Sequence, residues 1–173
     1  EHNAFQWRSV QRRPSIVLTI RRVHSSAWRL FRRHHYMTGG ILNNARCYVA
    51  FWRNEPVSFV AMRHNPFATK GWSLHRAVTL PDYQGCGIAT SVVEAIAGRF
   101  AATGLPVFAQ TAHPVLIRYH AASPNWHMTR KPGRRSVAVF ISREGAKWNT
   151  AHNRATASFK YCGPVRPGGI GDV

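Results

Sequence analysis

Acidic residues are scarce in this chain of 173 residues. Only 6 Asp and Glu stand against 24 Lys and Arg, which gives a formal net charge of +18 and a pI near 11.6. Arg is far commoner than Lys, and its guanidinium is suited to bidentate contact with phosphate. The composition therefore predicts a polyanionic partner. Nucleic acid is the leading interpretation, with an anionic protein surface or a general Arg bias as alternatives.

Paired cysteines and long apolar runs are also missing. Cys47, Cys86 and Cys162 lie far apart without a Cys-x-x-Cys spacing, so neither a disulfide framework nor a zinc ribbon is predicted. No apolar run approaches the about 18 residues of a membrane span, and no secretory hydrophobic region is present. We expect a cytoplasmic protein with no membrane contact. Because the chain begins at Glu1 without Met, we also expect it to derive from a longer protein.

The length and composition fit one domain. A chain of this size with 45% hydrophobic residues can bury a core of its own. Residues 1–14 form a basic lead and residues 163–173 a tail rich in Pro and Gly, and both are predicted to be flexible. The single domain is predicted to span residues 15–162.

Apolar and β-branched patterning predicts an α/β order of elements. Strands are predicted at 15–20, 46–52, 56–62, 72–80, 107–111, 136–141 and 155–161, and helices at 27–33, 89–100 and 114–122. The second and third strands form a hairpin.

The stretch from Leu80 to Thr90 carries the most specific pattern. It follows a predicted strand and leads into a predicted helix. Gly85 and Gly87 permit a sharp turn, and the free amides of the first helical turn, together with the helix dipole, favour an anion. A phosphate or pyrophosphate is the predicted ligand.

Two common phosphate loops do not fit this stretch. The nucleotide-triphosphate loop needs a Lys, and none lies nearby. The dinucleotide fingerprint needs a third Gly, where Thr90 stands, and an acidic residue about 20 positions later. No acidic residue occurs between Glu94 and Glu144. A helix-capping Gly turn in an unrelated α/β protein is the remaining alternative.

The segment Gln84-Gly85-Cys86-Gly87-Ile88-Ala89, with its Pro-Asp-Tyr lead-in, resembles the Gln/Arg-x-x-Gly-x-Gly/Ala signature of the GCN5-related N-acetyltransferase (GNAT) superfamily. The resemblance implies a mixed, mostly antiparallel sheet of about six to seven strands, flanked by helices and splayed at the coenzyme A site. It also implies that acetyl-CoA, or another acyl-CoA, is held by Val78, Leu80, Gln84, Gly85, Cys86, Gly87, Ile88, Ala89 and Thr90.

The resemblance further implies a catalytic Tyr. In similar acetyltransferases, a Tyr on the helix after the fifth strand protonates the departing thiolate of coenzyme A. Tyr119 falls close to that place in this sequence. The alternative is an amphipathic Tyr at a helix edge.

A closer resemblance covers Leu80 to Trp126 together with His34-His35-Tyr36. The segments Ala112-His113-Pro114 and Ser123-Pro124-x-Trp126 are similar to the Mom-like branch of phages and mobile elements, which includes versions fused to an ATPase domain. This resemblance implies modification of an adenine base in double-stranded DNA, in a bacterial or phage-infected cell. An ATPase domain or partner is a further expectation.

The Mom-like resemblance also implies iron and a His-Tyr element. His34, His35 and Tyr36 are the counterpart here, as catalytic candidates, with His34 and His35 as weak metal-ligand candidates. Met37 and Thr38 follow where that branch has a Cys, which weighs against iron.

A nucleobase acceptor demands more of a site than an aliphatic amine, because the lone pair of adenine's exocyclic nitrogen is delocalised into the ring. Such an acceptor requires base extrusion and an aromatic platform. Tyr36, Trp52, Trp126 and Trp148 are candidates, although core packing is the ordinary role of such residues. With few acidic residues available, a His base is easier to supply than a carboxylate.

Two other functions remain open. One is a conventional N-acetyltransferase of a protein, a small amine or an aminoacyl-tRNA, the last being toxin-like. The other is a non-catalytic nucleic-acid-binding module on the same fold.

Overall fold

The computed structural model describes residues 15–35, 44–65, 70–133 and 155–168. Within these ranges the strands are β1 Thr19–Val23, β2 Ala45–Trp52, β3 Glu55–Asn65, β4 Gly71–Thr79, β5 Val107–Thr111, β6 Trp126–Gly133 and β7 Thr156–Tyr161. The α-helices are α1 Trp28–Phe31, α2 Ile88–Ala101 and α3 Pro114–Ala122. Short 3₁₀ turns lie at Ser25–Ala27, Arg32–His34 and Pro81–Tyr83.

The strands of the described residues form one 7-stranded sheet in the order β1-β2-β3-β4-β5-β7-β6. Its neighbouring strands are antiparallel, except that β4 and β5 are parallel. The parallel pair requires a crossover, and α2 provides it. The predicted mixed, mostly antiparallel sheet flanked by helices is confirmed.

Each face of the sheet has its own core. On one face, α2 buries Val92, Ile96 and Phe100 at helical spacing against the sheet. On the other face, the rings of Trp28 and Phe31 lie 5.3 and 5.4 Å from the ring of Phe59. The sheet therefore separates an α2 face, which α3 also covers, from an α1 face.

Two predicted boundaries near the amino terminus are wrong. The first strand was predicted at 15–20, but β1 pairs Thr19–Val23 with β2, because the register with the partner strand outweighs the β propensity of the apolar run. The predicted helix 27–33 is α-helical only over Trp28–Phe31 and continues as a 3₁₀ turn. Only Trp28 and Phe31 are buried there, which anchors about one turn.

The sequence patterning missed β6. Trp126 is the buried residue of this strand, and the residues after it are mostly exposed and polar. Because β6 is the last strand of the sheet among the described residues and pairs there with β7, its outer residues need no apolar alternation. The strand predicted at 136–141 lies outside the described residues.

The segment after β7 contacts α2. The amide of Arg166 donates to the carbonyl oxygen of Gly98 at 3.1 Å, and the Tyr161 hydroxyl donates to the carbonyl oxygen of Pro164 at 3.1 Å. A Cβ on Gly98 would lie 2.8 Å from that Pro164 oxygen, so glycine permits the approach. The division into lead, domain and tail stays a prediction.

Candidate functional site

The glycine loop after β4 has the geometry of an anion cradle. Gly85 and Gly87 have φ of +80° and +87°, in the left-handed region that glycine adopts without strain. Gly87 caps α2, and the Ser91 amide makes the first helical bond by donating to the Gly87 carbonyl at 3.1 Å. The amides of the residues from Ile88 to Thr90 precede that bond and have no acceptor within the helix. They can bind a phosphate oxygen at the positive end of the helix.

The side chains of the loop mostly hold its shape. The side-chain amide of Gln84 donates through Nε2 to the Thr79 carbonyl at 2.8 Å, so it ties the loop back to the end of β4. The Thr90 hydroxyl donates to the Gly87 carbonyl at 2.9 Å, and the exposed Cys86 thiol lies 3.2 Å from the Tyr83 carbonyl oxygen. Because these side chains are bonded within the loop, we expect its backbone amides to contact a ligand.

The other predicted coenzyme contacts have different surroundings. Ile88 and Val78 are buried, at 4% and 6% exposure, so the Ile88 side chain belongs to the core and Val78 has only its backbone to offer. The Leu80 amide already donates to the Val57 carbonyl at 3.0 Å. Ala89 is half-buried in the first turn of α2. The roles of these residues as coenzyme contacts stay predictions.

The sheet opens between β4 and β5. The two strands pair over Trp72–Leu74 and Val107–Ala109, in parallel, at the start of each strand. β4 then continues to Thr79 and into the glycine loop, whereas β5 continues in pairing with β7. Beyond Leu74 the edge of β4 has no pairing with β5, and we call the gap beside this edge, which leads toward the loop, the β4 cleft. An extended ligand with amide groups can add to such an edge.

A β-bulge at His75 bends β4 at the start of this cleft. In the register with β3, Leu74 pairs with Met62 and Arg76 pairs with Ala61, so His75 is the extra residue. Leu74 and Ala77 both pack against the core of the α2 face. The two residues between them, His75 and Arg76, are consequently displayed together on the α1 face.

Arg76 is held beneath α1 by aromatic contacts. Its guanidinium carbon lies 5.0 Å from the ring centroid of Trp28, and its Nη1 lies 3.3 Å from Nδ1 of His35. The His35 ring also packs edge-on against Trp28, with centroids 5.4 Å apart. The structure thus brings one predicted residue, His35, to the bulge of β4.

His75 is accessible to solvent, yet its surroundings lower its pKa. The largest cause is partial desolvation of the ring, followed by the positive charges of Arg76 and Arg63 and then by His35. A lowered pKa leaves the imidazole neutral at pH 7, when it can accept a proton. His75 is therefore a candidate general base that the sequence analysis did not single out.

His34 contacts the residue that precedes it. Its Nε2 accepts a hydrogen bond of 2.9 Å from Nε of Arg33. Both neighbouring histidines therefore meet guanidinium groups. Tyr36, the third member of the predicted element, lies outside the described residues.

Tyr119 lies on the α2 face, where its hydroxyl donates to Oε1 of Glu94 at 2.9 Å. The same carboxylate accepts from the Ser123 hydroxyl at 3.1 Å and, at Oε2, from the Asn125 amide at 2.9 Å. Glu94 thereby fastens α3 and the turn after it to α2. Burial, followed by the hydrogen bond to Glu94, raises the pKa of Tyr119, so the phenol keeps its proton at neutral pH.

The neighbour of Tyr119 is a core residue. His120 is 2% exposed, and its ring centroid lies 4.5 Å from that of Trp126 and 5.2 Å from that of Phe159. Burial lowers the pKa of His120 to about 4, so it is neutral at pH 7. Trp126 is itself 5% exposed, which confirms core packing for one candidate platform residue.

The described residues contain no group of three or more His, Cys, Asp and Glu side chains placed to hold a metal ion. Nitrogens of His34 and His35 contact the cationic groups of Arg33 and Arg76, which disfavours a bound cation. The suggested iron site therefore does not fit the residues seen here. In the same described part of the chain, no helix is long and apolar enough to cross a membrane.

A protein-family comparison decides the family. Residues 10–122 match the model of the "Acetyltransferase (GNAT) family". The chain belongs to the GNAT family. It is accordingly an enzyme of the acyltransferase type, with an acyl-CoA donor. Among curated proteins, none has a sequence that matches this chain significantly.

Solved structures share the GNAT fold at low identity. The ribosomal-protein-S18-alanine N-acetyltransferase from Escherichia coli has a TM-score of 0.56 at 10% identity, covering 88% of this chain and 97% of its own. A Bacillus subtilis acetyltransferase in complex with CoA has a TM-score of 0.58 at 10% identity, covering 84% and 97%. A GNAT acetyltransferase from Elizabethkingia anophelis with acetyl-CoA bound has a TM-score of 0.51 at 9% identity, covering 83% and 95%.

The sequence analysis missed His75, and it named Glu94 without a role. A β-bulge leaves no pattern in the strand sequence 71–79, so the placement of His75 could not be derived. Glu94 carried a usable signal, because it is the only acidic residue between Asp82 and Glu144, the stretch that also holds the predicted catalytic Tyr119.

Proposed function

We propose that this GNAT enzyme transfers an acyl group from acyl-CoA to a nitrogen of a nucleic acid. The observation that carries the acceptor class is the positive charge beside the β4 cleft: Arg76 stacks on Trp28 and contacts His35, and the charges of Arg76 and Arg63 act on neutral His75. No acidic residue occurs in the sequence between Glu1 and Glu55 or between Glu55 and Asp82. The residues beside the cleft therefore lack a carboxylate from their own strands, which favours an anionic acceptor.

The donor half of the proposal rests on the loop and the cleft. Acyl-CoA supplies the acyl group as a thioester. The amides at the start of α2 suit its pyrophosphate, and the β4 edge from His75 to Thr79 suits the amides of its pantetheine arm.

The proton steps are assigned to two side chains. A C–N bond to the acyl carbon forms as the C–S bond breaks. The acceptor nitrogen loses a proton to neutral His75, and the leaving sulfur takes one from Tyr119, whose raised pKa keeps it protonated. In the structure the Tyr119 proton points to Glu94, so the hydroxyl must rotate before it can donate to sulfur.

The acceptor proposed first is an adenine of double-stranded DNA, as the Mom-like resemblance implies. The exocyclic nitrogen must be extruded from the duplex to reach the cleft. The reaction is proposed to occur in the cytoplasm of a bacterial or phage-infected cell, where acyl-CoA and DNA meet.

An aminoacyl-tRNA is the second candidate, and the reactivity of its amine favours it. An aliphatic amine attacks a thioester once it has lost a proton, for which neutral His75 is an acceptor, whereas the delocalised adenine nitrogen is a far weaker nucleophile. The tRNA backbone also satisfies the need for an anionic acceptor.

Mass spectrometry of nucleic acids from expressing cells separates these possibilities. DNA nucleosides should contain an acylated adenine with the wild type and none with Gly87→Val. An N-acylated aminoacyl-adenosine released from tRNA, with unmodified DNA, would transfer the proposal to the second acceptor. Unmodified DNA and tRNA, together with an acylated protein or small amine, would contradict a nucleic-acid acceptor.

A further inference from the structure

The α1 face carries a continuous basic track that the coenzyme does not explain. It begins at α1, where Arg29, Arg32 and Arg33 are exposed, while Trp28 and Phe31 on the opposite side are buried. Their i, i+3 and i+4 spacing groups the three guanidinium groups on the outer side of this helical segment. Outside the segment, the same face also exposes Arg63 of β3.

The track runs inward through contacts. Nε of Arg33 donates to Nε2 of His34 at 2.9 Å. The next residue, His35, contacts Nη1 of Arg76 at 3.3 Å through Nδ1. Arg76 adjoins His75 at the bulge of β4, where the strand borders the cleft. Arg and His side chains therefore lead from the outer surface of the α1 segment to Arg76, next to neutral His75 at the predicted reaction centre.

The segment that carries the outer end of the track supplies no counter-charge of its own. Residues 15–35 contain no Asp or Glu, and the described acidic residues nearest in sequence are Glu55 and Asp82. Exposed positive charges crowded in this way repel one another, and a bound polyanion removes the repulsion. Arg suits phosphate because it can donate two parallel hydrogen bonds to one group.

We propose that this α1 track is the docking surface for the phosphodiester backbone of double-stranded DNA. The inference rests on the proposed function, since it assumes a nucleic-acid acceptor and adds where that acceptor binds. Arg29, Arg32 and Arg33 contact phosphates, which set the position of the duplex. His35 and Arg76 form the inner end, next to the base that is modified.

The test neutralises the outer end of the track only. Arg29, Arg32 and Arg33 are exposed, so the triple change to Gln should leave the fold and coenzyme A binding unchanged. A matched control changes Arg22, Arg99 and Arg166 to Gln. These lie on the α2 face, since Arg22 pairs across strands with Tyr48, and Arg99 and Arg166 line one cavity with that Tyr.

Binding to a 30-base-pair duplex, measured by fluorescence anisotropy over a range of salt concentrations, gives the readout. Each phosphate contact contributes about 0.9 to the slope of log K against log salt, so the α1 triple variant should bind weakly, with a slope shallower by about 2 to 3. The control variant should lose less affinity. The triple change of Arg29, Arg32 and Arg33 to Lys should keep most of the slope, because the charge remains.

Different results would contradict the docking surface and the proposed function. If the wild type binds the duplex and the α1 triple variant matches it, or is no weaker than the control variant, the docking surface is wrong while the proposed function stands. If the wild type binds coenzyme A but neither binds nor acylates DNA, the proposed function fails, and the docking surface with it. Preference for a folded tRNA over the duplex would also overturn the DNA assignment.

Discussion

The hydroxyl of Tyr119 donates a 2.9 Å hydrogen bond to the carboxylate of Glu94. This contact joins α3, which carries the predicted general acid, to α2, whose first turn follows the predicted phosphate-binding loop. Ser123 and Asn125 donate to the same carboxylate. One side chain, Glu94, therefore ties the helix that follows the predicted coenzyme loop to the helix that carries the predicted general acid.

Replacing Tyr119 with Phe should lower kcat about 100-fold, the ordinary contribution of a general acid, with little change in the KM for acyl-CoA. Ser123→Ala is the matched control, because it removes a hydroxyl that donates to the same Glu94 oxygen. Steady-state kinetics on both variants make the comparison. Equal losses in the two variants would assign Tyr119 a structural role.

Glu94→Ala should destabilise the fold by about 2 to 4 kcal/mol, because three donors lose a charged acceptor that is only partly exposed to water. Glu94→Gln keeps an acceptor oxygen and should cost less than half as much. It should also lower the pKa of Tyr119, since the carboxylate raises it. Urea unfolding and ultraviolet titration measure both effects, with exposed Glu55→Gln as control. A Tyr119 pKa that does not change in Glu94→Gln contradicts the coupling.

Changing Gly85 and Gly87 to Ala should weaken coenzyme A binding at least about tenfold, because a side chain strains the left-handed backbone and turns the loop amides. Gly104→Ala is the control for strain alone, as Gly104 has a φ of +76° at the far end of α2. Isothermal titration with coenzyme A should find normal affinity in that control. Normal affinity in the double loop variant would place the coenzyme elsewhere.

The rate should depend on the neutral form of His75. Because the pKa of His75 is lowered, kcat/KM should rise with pH, with a midpoint below the ordinary 6.5, and should be level at pH 7. His75→Gln should be about 100-fold slower and should lose the rise of kcat/KM with pH. The exposed His127→Gln should keep the wild-type rate and the wild-type pH profile. A pH profile retained in His75→Gln would exclude His75 as the base.

Stability should fall as the solution becomes acidic, because His120 is buried in its neutral form. Its folded-state pKa of about 4 lies below the unfolded value of 6.5, so its contribution is complete above pH 6.5 and is lost as pH falls toward 4. The loss is on the order of 3 kcal/mol. Unfolding at pH 7 and pH 5 should show a smaller difference in His120→Leu. An unchanged difference would mean that other groups dominate.

Local chemistry in the sequence predicted the glycine loop, the hairpin, β5 and α3. Gly85, Gly87 and Pro114 each have a backbone preference that acts within a few residues, so their consequences can be derived without knowing the fold. The pattern of apolar residues in α2 likewise places one face in the core. These elements depend on neighbours along the chain.

The parts that sequence reasoning missed depend on neighbours across the sheet. The position of β1 is decided by its register with β2, and β6 is a strand because β7 provides a partner. The bulge that displays His75 exists only in the pairing of β4 with β3. The contact of His35 with Arg76 joins residues 41 positions apart. No local pattern encodes such placements.

Transfer of labelled acetyl groups tests the central claim most directly. Purified protein would be incubated with [¹⁴C]acetyl-CoA and, in parallel, double-stranded DNA, aminoacyl-tRNA, a ribosomal-protein amino-terminal peptide and a polyamine. We predict label in nucleic acid, abolished by the double Gly85 and Gly87 variant and reduced by Tyr119→Phe. Label in the peptide or polyamine alone, with nucleic acid unlabelled, would contradict the proposed acceptor.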